Sequence, residues 1–168
     1  STLLYFFRLE LVLTKNYYLD DTNILAEQVS GSDNMDYTIW YAYSGDGTLT
    51  GFTYNSADYY YQKNLQGDII GIYNTAGDLV VTYAYDAWGN LINMTDTSGY
   101  NLGEINPFRY RSYYYDEDTG WYYLQSRYYD AEVGRFLNAD DIEYAEDPNI
   151  GSNLFTYCKN EPVSMKDP

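Results

Sequence analysis

The side chains able to do chemistry in this sequence are few, and their types narrow the chemistry at once. Histidine is absent, which removes Ser-His-Asp and Cys-His nucleophile relays, His-ligated zinc, and haem held by a proximal His. The single cysteine, Cys158, can form neither an internal disulfide nor a multi-thiolate metal site, and is read as a small half-buried hydrophobe. Four arginines, Arg109, Arg111, Arg127 and Arg135, sit among tyrosines and carboxylates, where a planar guanidinium stacks on rings and forks onto Asp or Glu. They are read as cross-strand glue rather than as a receptor for an acidic ligand, because nine basic against twenty-five acidic residues leave a net charge of -16. The acidic loop Asp116-Glu117-Asp118-Thr119-Gly120 offers oxygen ligands, but the position that an EF-hand fills with a bidentate Glu is Arg127. A solvated turn fits that loop better, and no metal or other cofactor is expected. Gly45-x-Gly47-x-x-x-Gly51 misses the dinucleotide-binding spacing by one residue, with no helix expected after it. Asn93-Met94-Thr95 is a formal glycosylation sequon.

Composition limits the partners as well. Proteins that bind nucleic acid neutralise phosphates with clustered Lys and Arg, and the nine here are scattered, so nucleic acid is not an expected partner. No stretch approaches the roughly 20 apolar residues of a membrane span. The apolar opening Leu3 to Leu13 is interrupted by Arg8 and Glu10 and is followed by no small-residue cleavage site, so no signal peptide is visible. Tyrosine, with 24 of 168 residues, dominates an aromatic content of 20%, which argues against disorder despite the charge. The length suits one ordinary domain, and the start at Ser1 suggests a piece of a longer chain.

The elements that must carry these residues read almost entirely as short strands from 17 to 139. Alternating Tyr, Val, Ile, Thr and Trp are broken by Gly, Asn or Asp turn signals. One hairpin is expected from Tyr37–Tyr43 through Ser44–Gly47 into Thr48–Tyr54, and a second from Asp68–Tyr73 through Asn74–Gly77 into Asp78–Tyr85. A third turns through Trp88-Gly89-Asn90. A Tyr-x-x-x-Gly unit recurs at Tyr43–Gly47, Tyr73–Gly77 and Tyr85–Gly89, and with one extra residue at Tyr115–Gly120 and Tyr129–Gly134. One such hairpin cannot bury its apolar face alone, so the units must share a sheet. The stripe Tyr113, Tyr115, Tyr123 and Tyr129 is read as sheet packing without a ligand.

The stretches Asn106-Pro107-Phe108-Arg109-Tyr110-Arg111-Ser112-Tyr113-Tyr114-Tyr115-Asp116, Trp121-Tyr122-Tyr123-Leu124-Gln125-Ser126-Arg127-Tyr128-Tyr129-Asp130 and Gly134-Arg135-Phe136-Leu137-Asn138-Ala139-Asp140 closely resemble the signature of the RHS repeat-associated core domain of RHS or YD-repeat proteins. Tyr83-x-Tyr85-Asp86-x-Trp88-Gly89-Asn90 upstream and Asn153-Leu154-Phe155-x-Tyr157-Cys158 to Asp167-Pro168 downstream extend the likeness over about 17 to 168. The resemblance implies an all-β fold of repeated antiparallel hairpins forming part of a spiralling shell, in which a C-terminal toxin or effector of the same parent chain is enclosed. It divides the chain into a divergent or remnant lead-in (1–16), YD-type hairpins (17–105), the core signature (106–139) and a less regular closing segment (140–168) with a short helix around 153–158. The implied partners are upstream YD repeats and that effector, in a secreted or cell-surface bacterial setting. Some family members cut themselves near the end of the core by aspartic-type autoproteolysis. Matched residue by residue, this implies Asp140 and Asp167 as the carboxylates and Arg135 as their neighbour in the Gly-Arg-Phe element.

A second class stays open beside it, a cell-surface carbohydrate-binding aromatic repeat module in which exposed rings stack on sugars. The candidate rings are Trp40, Trp88 and Trp121.

Overall fold

Period-2 alternation dictates the architecture, because it gives each strand one face to bury and one to wet. The protein is seen in a computed structural model that describes residues 13–31, 36–124 and 127–137. The chain divides into two compact units, Ser1–Tyr59 and Tyr60–Pro168.

In the first unit, β1 (Leu13–Asp20), β2 (Asn23–Gly31), β3 (Tyr37–Tyr43) and β4 (Leu49–Tyr54) pair antiparallel in sequence order, and β5 (Ala57–Lys63) begins. Along β3, Ile39 and Tyr41 are buried while Trp40 and Ala42 are exposed. The register puts Tyr41 opposite Phe52, and Phe52 stacks on Tyr59 with ring centroids 5.2 Å apart. Glu27 is buried among them, where it accepts a hydrogen bond from the Tyr41 hydroxyl at 3.2 Å and pairs with Lys15 at 3.7 Å.

In the second unit the remainder of β5 continues into β6 (Ile69–Tyr73), β7 (Leu79–Tyr85) and β8 (Leu91–Asp96), again antiparallel and in sequence order. A four-residue helix, α1 (Leu102–Ile105), and a single 3-10 turn at Tyr110–Ser112 follow. A second sheet then runs β9 (Tyr114–Asp116), β10 (Trp121–Tyr123), β11 (Tyr128–Asp130) and β12 (Arg135–Phe136).

All three expected hairpins form, and their turns share one construction. The residue after the strand accepts from the glycine N–H, as in Gly47 to Ser44 at 2.9 Å, Gly77 to Asn74 at 3.1 Å and Gly89 to Asp86 at 3.2 Å. Each turn follows a bulge, so that Tyr43 faces Leu49, Tyr73 faces Leu79 and Tyr85 faces Leu91. This is a tight turn closed by a left-handed residue, which is why glycine stands fourth. The units read as one residue longer close instead from Gly120 to Asp116 at 2.7 Å and from Gly134 to Asp130 at 2.8 Å.

Two findings depart from the sequence reading. The alternation between 17 and 139 predicts almost entirely strands, yet α1 forms there, where Asp96 accepts from the Gly103 N–H at 2.7 Å and holds the segment against β7 and β8. The tyrosine stripe is also drawn differently. Register places Tyr122 opposite both Tyr115 and Tyr129, and Phe136 opposite Tyr129, whereas Tyr123 pairs with Tyr114 and Tyr128 on the other face. The helix expected around 153–158 and Cys158 lie outside the described residues. Among the described residues no helix is long and apolar enough to cross a membrane.

Candidate functional site

In the second unit a buried cluster of Tyr110, Tyr122, Tyr129, Ala131 and Phe136, with Tyr85 and Trp88 packed against it, gathers around the turn Asp86–Asn90. The turn closes itself first. Asp86 accepts from the N–H groups of Trp88 at 2.9 Å and Asn90 at 3.0 Å, and the Asn90 amide donates back to Asp86 at 2.8 Å. Burial raises the Asp86 carboxyl, but the Asn90 amide and the N–H groups of Asn90, Trp88 and Gly89 together outweigh it and hold the group below its usual range.

Closing the turn points three successive carbonyls away from it, and each receives a tyrosine hydroxyl from a different element. Tyr110, in the 3-10 turn, donates to Ala87 at 2.9 Å; Tyr129, on β11, donates to Trp88 at 2.6 Å; Tyr122, on β10, donates to Gly89 at 2.9 Å. The Asn90 amide adds a bond to the Ala131 carbonyl at 2.9 Å. Tyr122 and Tyr129 belong to a ladder of rings, Tyr115, Tyr122, Tyr129 and Phe136, with neighbouring centroids 5.1, 6.4 and 5.7 Å apart. Such pairs add about 0.5–1.5 kcal/mol each beyond the area they bury. Gly89 is required by contact as well as by its φ of +97°, since a Cβ there would stand 2.5 Å from Tyr110.

The segment Arg109–Ser112 is fastened to a second turn, Asn64–Asp68. The Arg111 N–H donates to Asp68 at 2.9 Å, the Arg111 guanidinium to the Gln66 carbonyl at 3.2 Å, and the Ser112 hydroxyl to the Gly67 carbonyl at 2.8 Å. Arg111 and Ser112 both have positive φ, 55° and 59°, a strain of about 1–2 kcal/mol each that these anchors offset. Arg109, only 5% exposed, donates to the carbonyls of Asn106, Gly103 and Glu104, pairs with Glu117 at 3.2 Å, and lies over Tyr115 at 4.8 Å. Arg127 lies over Phe136 at 3.8 Å. The ring and carboxylate contacts expected of Arg109, Arg111 and Arg127 form, and bonds to backbone carbonyls are added to them. Arg109 and Arg111 tie an irregular segment down, Arg109 mainly through backbone carbonyls beside the half-exposed Glu117, Arg111 through the Gln66 carbonyl and a buried ion pair with Asp68 at 3.7 Å.

The hydroxyls of Tyr83, Tyr85 and Tyr122 are held protonated. Burial pushes Tyr83 up to about 12, against the opposing pull of Asn106 and Arg109. Burial likewise raises Tyr85, with neighbouring tyrosines adding to it, and raises Tyr122 despite Arg109. None is poised to exchange a proton near neutral pH. Among the described residues no group of three His, Cys, Asp or Glu side chains is arranged to hold a metal.

Of the three residues singled out for self-cleavage, Arg135 stands on β12, exposed and opposite Asp130. Asp140 and Asp167 lie outside the described residues. Tyr110 and Tyr122 carry the site and were not singled out. The signal that could have found the ladder is spacing, because 115, 122, 129 and 136 recur every seven residues.

Hairpins that recur through one turn design, closed over by an aromatic ladder that binds its own backbone, define a repeat-built β wall of the YD-repeat class. The teneurin YD-shell model matches residues 28–163, and the chain belongs to that family of RHS/YD-repeat shells. The tRNA3(Ser)-specific nuclease WapA of Bacillus spizizenii is 36% identical over 153 residues, covering 91% of this chain and 6% of that protein. The double-stranded DNA deaminase toxin A of Burkholderia cenocepacia is 36% identical over 93 residues, covering 55% of this chain and 6% of that protein. The crystal structure of TcdB2-TccC3-Cdc42 superposes with a TM-score of 0.75 at 20% identity, covering 94% of this chain and 8% of that one, and shares the fold. The chain thus spans only 6% of the length of the WapA nucleases it matches. Its own role is structural, as a segment of shell wall.

Proposed function

We propose that this wall encloses and presents a C-terminal toxin or effector of the same parent chain, for secretion or contact-dependent delivery, with upstream YD repeats completing the enclosure. The observation that carries the reading is the fate of the tyrosine hydroxyls. Those of Tyr110, Tyr122 and Tyr129 bind the chain's own Ala87, Gly89 and Trp88 carbonyls, so these buried hydroxyls hold the second unit together instead of facing a substrate. The names of the relatives support a toxic cargo elsewhere in such chains, and a secreted or cell-surface setting follows from that use.

The test is limited proteolysis of the parent chain expressed with its natural continuation. The cargo region should resist digestion in the intact protein and become digestible when Tyr110, Tyr122 and Tyr129 are all changed to Phe. Equal digestion of the cargo in both proteins refutes enclosure. Within the same proposal, Asp140 and Asp167 share a proton and activate a water against a peptide bond near the end of the core, with Arg135 beside them. Mass spectrometry of the parent should then show a self-generated C-terminal fragment that Asp140→Asn or Asp167→Asn abolishes. If those variants cleave as well as the parent, the aspartates have no catalytic part.

A further inference from the structure

On the face away from the ring ladder, the second sheet presents another set of aromatic side chains. Trp121 and Tyr123 of β10 are half-buried there, and Tyr128 of β11 is 36% exposed. Tyr123 and Tyr128 stand directly opposite one another across the two strands. They fall one step from the position where the Leu124 N–H donates to the Arg127 carbonyl at 2.8 Å. Theirs is therefore a non-hydrogen-bonded pair, the arrangement that brings cross-strand side chains closest. The ring centroids are 5.3 Å apart with the planes tilted by 46°, a separation at which the ring edges touch.

The chemistry open to such a pair is phenol coupling. A tyrosine that loses one electron and its hydroxyl proton becomes a radical with spin density on the ring carbons beside the C–O carbon. Two such radicals join by a carbon–carbon bond, and the ring hydrogen at each joined carbon moves to its oxygen, so the net loss is two electrons and two protons. A haem peroxidase passes both to hydrogen peroxide, which becomes two waters. The requirements are edge contact and a hydroxyl that can give up its proton. Tyr115 and Tyr122 are closer, at 5.1 Å, but Tyr122 is 1% exposed and its hydroxyl is bonded to the Gly89 carbonyl at 2.9 Å. Burial raises its pKa as well. The pairs Tyr85–Tyr110, Tyr110–Tyr122 and Tyr122–Tyr129 are 6.0 Å or more apart. Tyr37 and Tyr54, at 5.6 Å and 75°, set an edge against a face. Tyr123 and Tyr128 meet both requirements, in a chain whose single cysteine leaves it no internal disulfide.

We propose that Tyr123 and Tyr128 are a site of oxidative modification, joined as dityrosine by a haem peroxidase and hydrogen peroxide into a covalent staple between β10 and β11. Those strands carry Tyr122 and Tyr129 to the Asp86–Asn90 turn, so the staple ties together the two strands on which that joint depends. It does not rest on a cargo, and its failure leaves enclosure untouched. The test takes the parent chain as an equal mixture of unlabelled and heavy-nitrogen-labelled protein, oxidises it with a haem peroxidase and hydrogen peroxide, and digests it with trypsin. Cleavage after Arg111, Arg127 and Arg135 separates the two tyrosines. Mass spectrometry should find the peptides 112–127 and 128–135 joined with loss of two hydrogen atoms, both of one isotope, with fragment ions placing the bond at Tyr123 and Tyr128. Tyr123→Phe and Tyr128→Phe should each abolish the joined species, and Tyr60→Phe, at an exposed tyrosine of β5, should leave its yield unchanged. The fragment ions locate the bond in the unaltered chain, whatever the variants do to folding. The proposal is overturned if no joined peptides form, if they mix isotopes, if the bond lies at another pair, or if either Phe variant at the site still forms it.

Discussion

Replacing Gly89 with Ala tests the docking of the second sheet at a single methyl group. Two costs are expected at that site. At a φ of +97° a side chain is strained, which costs about 1–3 kcal/mol. The new Cβ would also meet Tyr110 at 2.5 and 2.7 Å, and that ring cannot step aside, because it is buried and its hydroxyl is bonded to Ala87 at 2.9 Å. Overpacking of this kind costs a further 1–3 kcal/mol or so. Gly77 separates the two contributions, since it has nearly the same φ, +87°, and nothing within 4 Å of its Cβ position. Gly77→Ala should therefore show the backbone cost alone, and Gly89→Ala the backbone cost plus the clash. Urea denaturation followed by tryptophan fluorescence measures both, and each kcal/mol should appear as about 2–4 °C in a parallel melt of a chain of this size. Adding Tyr110→Leu to Gly89→Ala should cost less than the two changes separately, because removing the ring relieves the clash. Equal losses from Gly77→Ala and Gly89→Ala would refute the claim that the turn is held by ring contact.

Two further outcomes follow from the hydroxyl bonds and their burial. Tyr129→Phe should destabilise by about 1–2 kcal/mol, as the Trp88 carbonyl loses its donor, whereas the same change at exposed Tyr60 should leave the denaturation midpoint where it was. At alkaline pH, Tyr83, Tyr85 and Tyr122 should remain protonated in the folded chain while their unfolded counterparts ionise near 10. The folded state then binds more protons than the unfolded one, so stability is full below pH 10 and falls as pH rises toward 12. Absorbance at the tyrosinate band, followed together with circular dichroism, should show these three ionising only as the fold is lost; ionisation near 10 in the intact fold contradicts the assignment.

The turns were legible because their geometry demands particular residues at particular places, with Asx or Ser at the first turn position and Gly at the fourth. The Tyr-x-x-x-Gly pattern nonetheless leaves out a turn of the same build, in which Lys63 stands where tyrosine does elsewhere. Gly67 donates to Asn64 at 3.1 Å, and the Asn64 amide reaches Asp68 at 2.7 Å. Requiring tyrosine hid it, although the ring is not what closes the turn. The carbonyl anchors were illegible for a different reason. Every residue has a carbonyl, so nothing in the residue types tells that Arg111 will bind Gln66 or that Tyr129 will bind Trp88, 45 and 41 residues along the chain. Helix α1 is too short to show a period, and it exists because Asp96 and the sheet hold it in place.

Three hydroxyls from three elements converging on the tripeptide Ala87-Trp88-Gly89 also govern how the second unit gives way under load. Each bond keeps the turn in the orientation the other two need, so a pull on the second sheet does not peel them off in succession. Under load such a joint is expected to hold up to a threshold and then fail in one event, opening abruptly rather than by gradual drift.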